Sequence, residues 1–88
     1  MVHVQMYTAP NCHYCVRAKR LLAERGIAYE EVDVAHDPDL RAEVIRRSGG
    51  RRTVPQIFLD GQSIGGYQEL AALDAAGGLA RFRKADAG

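Results

Sequence analysis

The sequence has no tryptophan, only three prolines and only two cysteines in 88 residues. It has no low-complexity segment, internal repeat or linker. No apolar run approaches the roughly 18 residues of a membrane-spanning helix, so no membrane partner is expected. Neither sign of charge dominates, since 12 basic residues meet 11 acidic ones for a formal net charge of +1. A chain this close to neutral implies no strong electrostatic partner. Nucleic-acid binding is not expected, because Arg46, Arg47, Arg51 and Arg52 come without interleaved aromatics. Two thiols, with His3 and His36 far away in sequence, fall short of the four ligands of a structural zinc site. The opening Met1-Val2-His3-Val4-Gln5-Met6-Tyr7 is too short and too polar for a signal peptide. The expectation is a cytoplasmic protein.

What is present fits a single domain over residues 1–88. The balance of 47% hydrophobic and 26% charged residues is that of a soluble globular chain. A domain of this size buries a small share of its surface, so its stability margin is narrow.

The two cysteines form one motif, Cys12-His13-Tyr14-Cys15. A disulfide there closes a tiny loop and removes little chain entropy, which makes it a poor structural staple. A reversible dithiol in a reducing compartment suits the pair better. Val4 and Met6 alternate with His3, Gln5 and Tyr7, which predicts a strand over 2–7 with Tyr7 on the polar side. Thr8-Ala9-Pro10-Asn11 breaks it, and a helix is expected from Cys12 to Arg25, with Cys15, Ala18 and Leu22 on its apolar face and Gly26 after its end. Cys12 then sits at a helix N-terminus, where free N–H groups and the helix dipole stabilise a thiolate. Cys15 lies one turn further in. The asymmetry assigns attack to Cys12 and resolution to Cys15. His13 is either a solvent-facing bystander or, when protonated, a support for that thiolate.

Further along, a second strand is expected over Tyr29 to Val34. Asp37-Pro38 reads as an N-cap followed by Pro at N1, opening a helix with Leu40 and Val44 inward and Gly49-Gly50 at its end. Gln56 to Leu59 and Gln62 to Ile64 flank Asp60-Gly61, a strong hairpin signal. Gly65-Gly66 interrupts the returning strand. A helix follows from Tyr67 to Ala76, closed by Gly77-Gly78, and Leu79 to Lys84 forms one more turn. The last four residues are expected to fray. The order β-α-β-α-β-β-α makes an α/β fold: a four-stranded mixed sheet flanked by helices, with the first two strands parallel.

With these residues in place the sequence resembles the glutaredoxin family, most closely its compact bacterial members of the third type. The resemblance rests on Met6-Tyr7-Thr8, Cys12-His13-Tyr14-Cys15 with Arg17-Ala18-Lys19, Ser48-Gly49, Thr53-Val54-Pro55-Gln56-Ile57-Phe58, Asp60-Gly61, Ile64-Gly65-Gly66 and Leu73-Asp74. It implies a thioredoxin-like fold and glutathione as cosubstrate. By that analogy the enzyme reduces glutathionylated and disulfide-bonded proteins. It is a monomer served indirectly by glutathione reductase, with a cis Pro55. The implied glutathione groove uses Tyr14, Thr53, Val54, Pro55, Gly66, Tyr67 and Gln68. Three departures stand out. Ala9 occupies the place of a frequent Lys, and Arg51 or Arg52 is the expected replacement, with Arg52 taken as the binding residue. Tyr67-Gln68 replaces a Cys or Ser and an acidic or hydroxyl residue, leaving Glu69 to supply the charge. His13 replaces a Pro, and some relatives lacking that Pro hold a [2Fe–2S] cluster with glutathione. Two alternatives therefore stand beside the main reading: a cluster carrier, separable by anaerobic purification and a visible spectrum, and a thioredoxin-like reductase fed by a flavoprotein.

Overall fold

A computed structural model describes residues 3–83 of the chain. The expected fraying of the last four residues lies outside the described residues, as do Val2 of the first strand and Lys84 of the last turn. Strand β1 is Val4–Thr8. It pairs in parallel with β2 (Glu30–Asp33), Met6 facing Glu31. On its other side it pairs antiparallel with β3 (Gln56–Leu59), Met6 facing Ile57. Strand β4 (Gln62–Gly65) pairs antiparallel with β3, so the sheet order is β2-β1-β3-β4. Asp60 and Gly61 join the last two strands with φ of 51° and 82°, the pair of positive values that a two-residue hairpin loop requires. Gly65 belongs to β4 instead of interrupting it; the ladder absorbs it through an irregularity between Ile57 and Phe58.

Helices α1 (His13–Glu24), α2 (Pro38–Arg47) and α3 (Tyr67–Ala75) follow the predicted segments to within a residue or two, the ordinary latitude of helix ends. All three stop in the same way. Gly26, Gly49 and Gly77 take φ of 68°, 76° and 81°, which only glycine adopts without strain. After α1, for instance, the Gly26 N–H bonds Ala23 O at 3.1 Å and the Ile27 N–H bonds Leu22 O at 2.9 Å. That is the Schellman arrangement, and Leu22 and Ile27 also meet in the core. A short 3-10 turn, Ala80–Phe82, completes the described chain. No described helix is long and apolar enough to cross a membrane.

The sheet is covered on both faces. Val4, Met6, Ile57 and Leu59 pack with Ala18 and Leu22 of α1 and Leu70 of α3. Tyr7 and Phe58 pack on the opposite face with Val34 and with Val44 of α2. Successive strand residues point to opposite faces, so β3 is buried along its whole length. This corrects the expected polar side for Tyr7. The residue is 6% exposed and meets the Phe58 ring edge-on at 5.5 Å, because α2 covers the face that alternation alone left open to water. The layering is the α/β thioredoxin-like fold that the sequence led us to expect.

Helix α2 tests how much the local signals contribute. Asp37 accepts the Leu40 N–H at 3.0 Å and Pro38 occupies the first turn, as an N-cap with Pro at N1 should. Asp37→Ala is expected to lower stability by about 1 kcal/mol, read as a shift in the urea midpoint with unchanged slope. No shift would mean that packing alone holds the helix.

Candidate functional site

The chain leaves β1 through Ala9, Pro10 and Asn11, the last at φ 60°, and enters α1 at Cys12. Cys12 is extended, with φ −104°, and its sulfur does the capping: Sγ accepts the Cys15 backbone N–H at 3.1 Å. Cys12 and Cys15 form a disulfide, with Cα atoms 5.2 Å apart. Their surroundings differ. Cys12 is half-buried, whereas Cys15 is 2% exposed. Cys12 Sγ also lies 3.5 Å from the Val54 carbonyl oxygen. Once the disulfide opens, a Cys12 thiolate keeps the Cys15 N–H, which favours the charged form. His13, next in the chain, is exposed.

The loop that brings Val54 to the sulfur is built by its neighbours. The Val54–Pro55 peptide is cis, as the family resemblance implied. Buried Gln56 ties the loop down by donating Nε2 to Thr53 O at 2.8 Å. Val54 packs against the α2-side cluster. Sheet and helix packing therefore set where the Val54 carbonyl stands.

A groove of about 240 Å³ lies beside the disulfide. Tyr14 of α1 lines one side, and Arg51, Thr53, Val54 and Pro55 line another. Gly66, Tyr67, Gln68 and Glu69 close its end at the start of α3. The Tyr14 and Tyr67 rings stack at 6.1 Å between centroids, and the Arg17 guanidinium sits 5.5 Å from the Tyr14 ring. Of the residues singled out for binding, Tyr14, Thr53, Val54, Pro55, Gly66, Tyr67 and Gln68 come together here. Arg52 does not. It lies over an adjoining recess, where Arg41 Nη2 holds its carbonyl at 2.8 Å. Arg51, the other candidate to replace the Lys absent at Ala9, is the arginine that lines the groove.

Arg51 is not alone there. Its Nη2 lies 3.1 Å from Glu69 Oε1, and the same oxygen accepts the Gly66 N–H at 2.7 Å. Glu69 stands three residues after Gly66, so it fills the acidic half of a capping box. Glycine has no side chain to supply the other half, so the next N–H groups of α3 carry no side-chain cap. The Gly66-x-x-Glu69 spacing was the sequence signal for this contact; the Arg51 partner had none. Gly65 lies beside the pair at φ 107°, a backbone conformation that side-chain-bearing residues rarely adopt, and a β-carbon there would also push the Arg51 and Glu69 side-chain ends aside.

The Gly66 N–H, and then the Arg51 charge, hold the Glu69 carboxyl below the usual carboxylate range. Asp74 and Asp60 are lowered too, by Arg25 and Arg81 respectively. A carboxyl whose folded pKa lies below its unfolded value adds stability above the unfolded pKa and loses it as pH falls through the folded one. Stability is therefore expected to be level from neutral pH down to the ordinary carboxylate range and to fall below it. Urea midpoints between about pH 7 and pH 3 check this. A Glu69→Gln variant should show a shallower acid limb; an identical limb would remove Glu69 from the account.

A family model described as Glutaredoxin matches residues 4–64. The chain is 51% identical to Glutaredoxin 3 of Escherichia coli K12 over 79 residues, which is 90% of this chain and 94% of that protein. It is 43% identical over 79 residues to a glutaredoxin of Pseudomonas aeruginosa, covering 90% of this chain and 93% of that one. Among solved structures, the solution structure of glutaredoxin from Brucella melitensis superposes with a TM-score of 0.79 at 45% identity, covering 97% of this chain and 92% of that one. A buckwheat glutaredoxin–glutathione complex superposes with a TM-score of 0.83 at 25% identity, covering 97% and 79%. With its Cys12-x-x-Cys15 pair at the start of α1, the chain belongs to the glutaredoxin family of thiol–disulfide oxidoreductases.

Proposed function

We propose that this chain uses glutathione to reduce glutathionylated and disulfide-bonded proteins, with Cys12 as nucleophile and Cys15 as resolving thiol. One observation carries the reading. The sulfur of half-buried Cys12 caps α1 beside a groove that ends at the start of α3, where the N–H groups beyond Gly66 carry no side-chain cap. The buckwheat relative in complex with glutathione supports the choice of ligand.

In the first step the Cys12 thiolate attacks the glutathione sulfur of a mixed disulfide. The Cys12–glutathione bond forms, the old S–S bond breaks, and the substrate cysteine leaves as thiolate. The Cys15 N–H stabilises the attacking charge. A second glutathione thiolate then attacks the glutathione sulfur bound to Cys12, releases glutathione disulfide and regenerates the Cys12 thiolate. With a protein disulfide, the Cys15 thiolate attacks Cys12 of the mixed disulfide instead and expels the substrate. That leaves the Cys12–Cys15 disulfide, which two glutathiones reduce in turn. Tyr14, Tyr67 and the Thr53-Val54-Pro55 loop form the walls of the glutathione groove. The γ-glutamyl carboxylate meets the N–H groups of Tyr67 and Gln68 beyond Gly66, where a helix N-terminus favours an anion. Arg51 supplies the cation for ligand carboxylates, and Glu69 faces the ammonium. The chain works as a single domain and a monomer in the cytoplasm, with glutathione reductase restoring its cosubstrate.

The test is turnover of a small glutathione mixed disulfide coupled to glutathione reductase, with NADPH consumption as readout. Turnover that requires glutathione is expected. Turnover that runs on a thioredoxin-reducing flavoprotein without glutathione would overturn the reading.

A further inference from the structure

The charges of α1 run against its dipole. A helix favours acidic residues in its first turn and basic residues in its last. Helix α2 follows that rule, with Asp39 at its start and Arg46 and Arg47 at its end. Helix α3 has Glu69 in its first turn. Helix α1 has no acidic residue in its first turn and no basic residue in its last; Arg17, Lys19 and Arg20 all precede its one acidic residue, Glu24. The dipole therefore does not account for them. Lys19 is answered by Glu31, whose carboxylate lies 3.2 Å away. Among the described residues, no carboxylate lies within 4.0 Å of Arg17 or Arg20.

The two unanswered arginines share a face. His13, Val16, Arg17 and Arg20 are spaced i, i+3, i+4 and i+7, and all four are exposed. Cys15, Ala18 and Leu22 form the opposite, buried face. Val16, 50% exposed, sets an apolar surface among the charges. Apolar contact flanked by arginine is the composition of a protein interface. The face starts beside Cys12, which caps the same helix. It also lies clear of the groove, to which α1 contributes Tyr14 alone.

A glutathionylated protein brings two bodies to Cys12. In the exchange proposed above, glutathione fills the groove, so the protein that carries it needs support outside the groove. We propose that the outer face of α1 gives this support by docking an acidic patch beside the substrate's modified cysteine. The inference rests on that exchange reaction at Cys12. At about 1.5 Å per residue, Arg17 and Arg20 lie roughly 8 and 12 Å along the helix axis from Cys12. An extended chain covers that span in about two to four residues. Carboxylates at that distance from the cysteine meet both guanidinium groups, and an apolar neighbour rests on Val16.

The experiment uses the full chain and three mixed disulfides with glutathione. One is made with a small neutral thiol and one with a neutral peptide that has a single cysteine. The third uses the same peptide with glutamates about three residues from the cysteine on both sides. At low salt, kcat/KM for the acidic peptide is expected about fivefold above that for the neutral one. At about 0.5 M salt the advantage should vanish, since exposed charges are then screened. In an Arg17→Gln/Arg20→Gln variant the acidic-to-neutral ratio should fall towards one, whatever the absolute rate. An Arg46→Gln/Arg83→Gln variant loses the same charge from exposed positions elsewhere and should keep the ratio. Equal rates for the two peptides with the unaltered chain would overturn the docking face while leaving glutathione chemistry intact. A ratio that survives in the first variant, or falls equally in both, would also overturn it, because the attraction is then not local to α1. Failure to turn over even the small mixed disulfide would overturn the exchange reading and the docking face with it.

Discussion

Cys12→Ser is expected to abolish turnover of glutathione mixed disulfides and protein disulfides alike, by on the order of a thousandfold or more. Every proposed step begins or ends on the Cys12 sulfur, and a serine hydroxyl is not ionised at neutral pH. The loss should not come from unfolding. Cys12 serves α1 as N-cap through its sulfur, and serine is among the preferred residues at that position. The variant should melt close to the parent reduced at both cysteines. Cys15→Ser separates the roles. The amide that supports the Cys12 thiolate belongs to the backbone of residue 15, so the substitution keeps it. This variant should still turn over small glutathione mixed disulfides but should lose reduction of protein disulfides, which needs the resolving thiol. NADPH-coupled assays with both substrate types decide the matter. An active Cys12→Ser with a dead Cys15→Ser would reverse the assignment.

The largest effect on stability is expected from Phe58→Ala, about 3–5 kcal/mol. Phe58 is 1% exposed and belongs to the α2-side cluster with Val34 and Val44, its ring edge-on to Tyr7. That cluster is small, with four buried residues. Few side chains are free to collapse into the gap, so most of the cavity should persist. Domains have a total stability of about 5–15 kcal/mol, and small ones lie toward the low end. The melting temperature should fall by roughly 15–30 °C. There is a functional consequence as well. Val54 packs against the same cluster, so loosening it should also loosen the carbonyl that faces Cys12. Thermal melts and urea unfolding check the first part. A loss below about 1 kcal/mol would mean that α2 does not seal this face as a packed core.

These two predictions draw on different levels of information. The place of Cys12 at the start of α1 was legible in the chain, because a turn before it and an apolar helical face after it suffice to put a sulfur at a helix N-terminus. The helix stops at Gly26, Gly49 and Gly77 were legible for the same reason, since a positive φ is a local demand. Tyr7 was not. Alternation sorts strand residues into two faces but does not say whether a helix covers the second. The choice between Arg51 and Arg52 was equally out of reach. Neighbouring residues in a loop point in different directions, and here the bond from Arg41 to the Arg52 carbonyl and the carboxylate of Glu69 settle which guanidinium enters the groove.

By itself, then, the sequence determined the order of elements, the thiol pair with Cys12 at the start of α1, and most of the residues that line the groove. Those features follow from periodicity, from capping and from backbone preferences that act within a few residues. The tertiary structure alone decided that Tyr7 is core, that Arg51 pairs with Glu69 beside the start of α3, and that the Val54 carbonyl stands against the Cys12 sulfur. These depend on which residues far apart in the chain come to lie together, and packing of α2 and α3 against the two faces of the sheet brings them there.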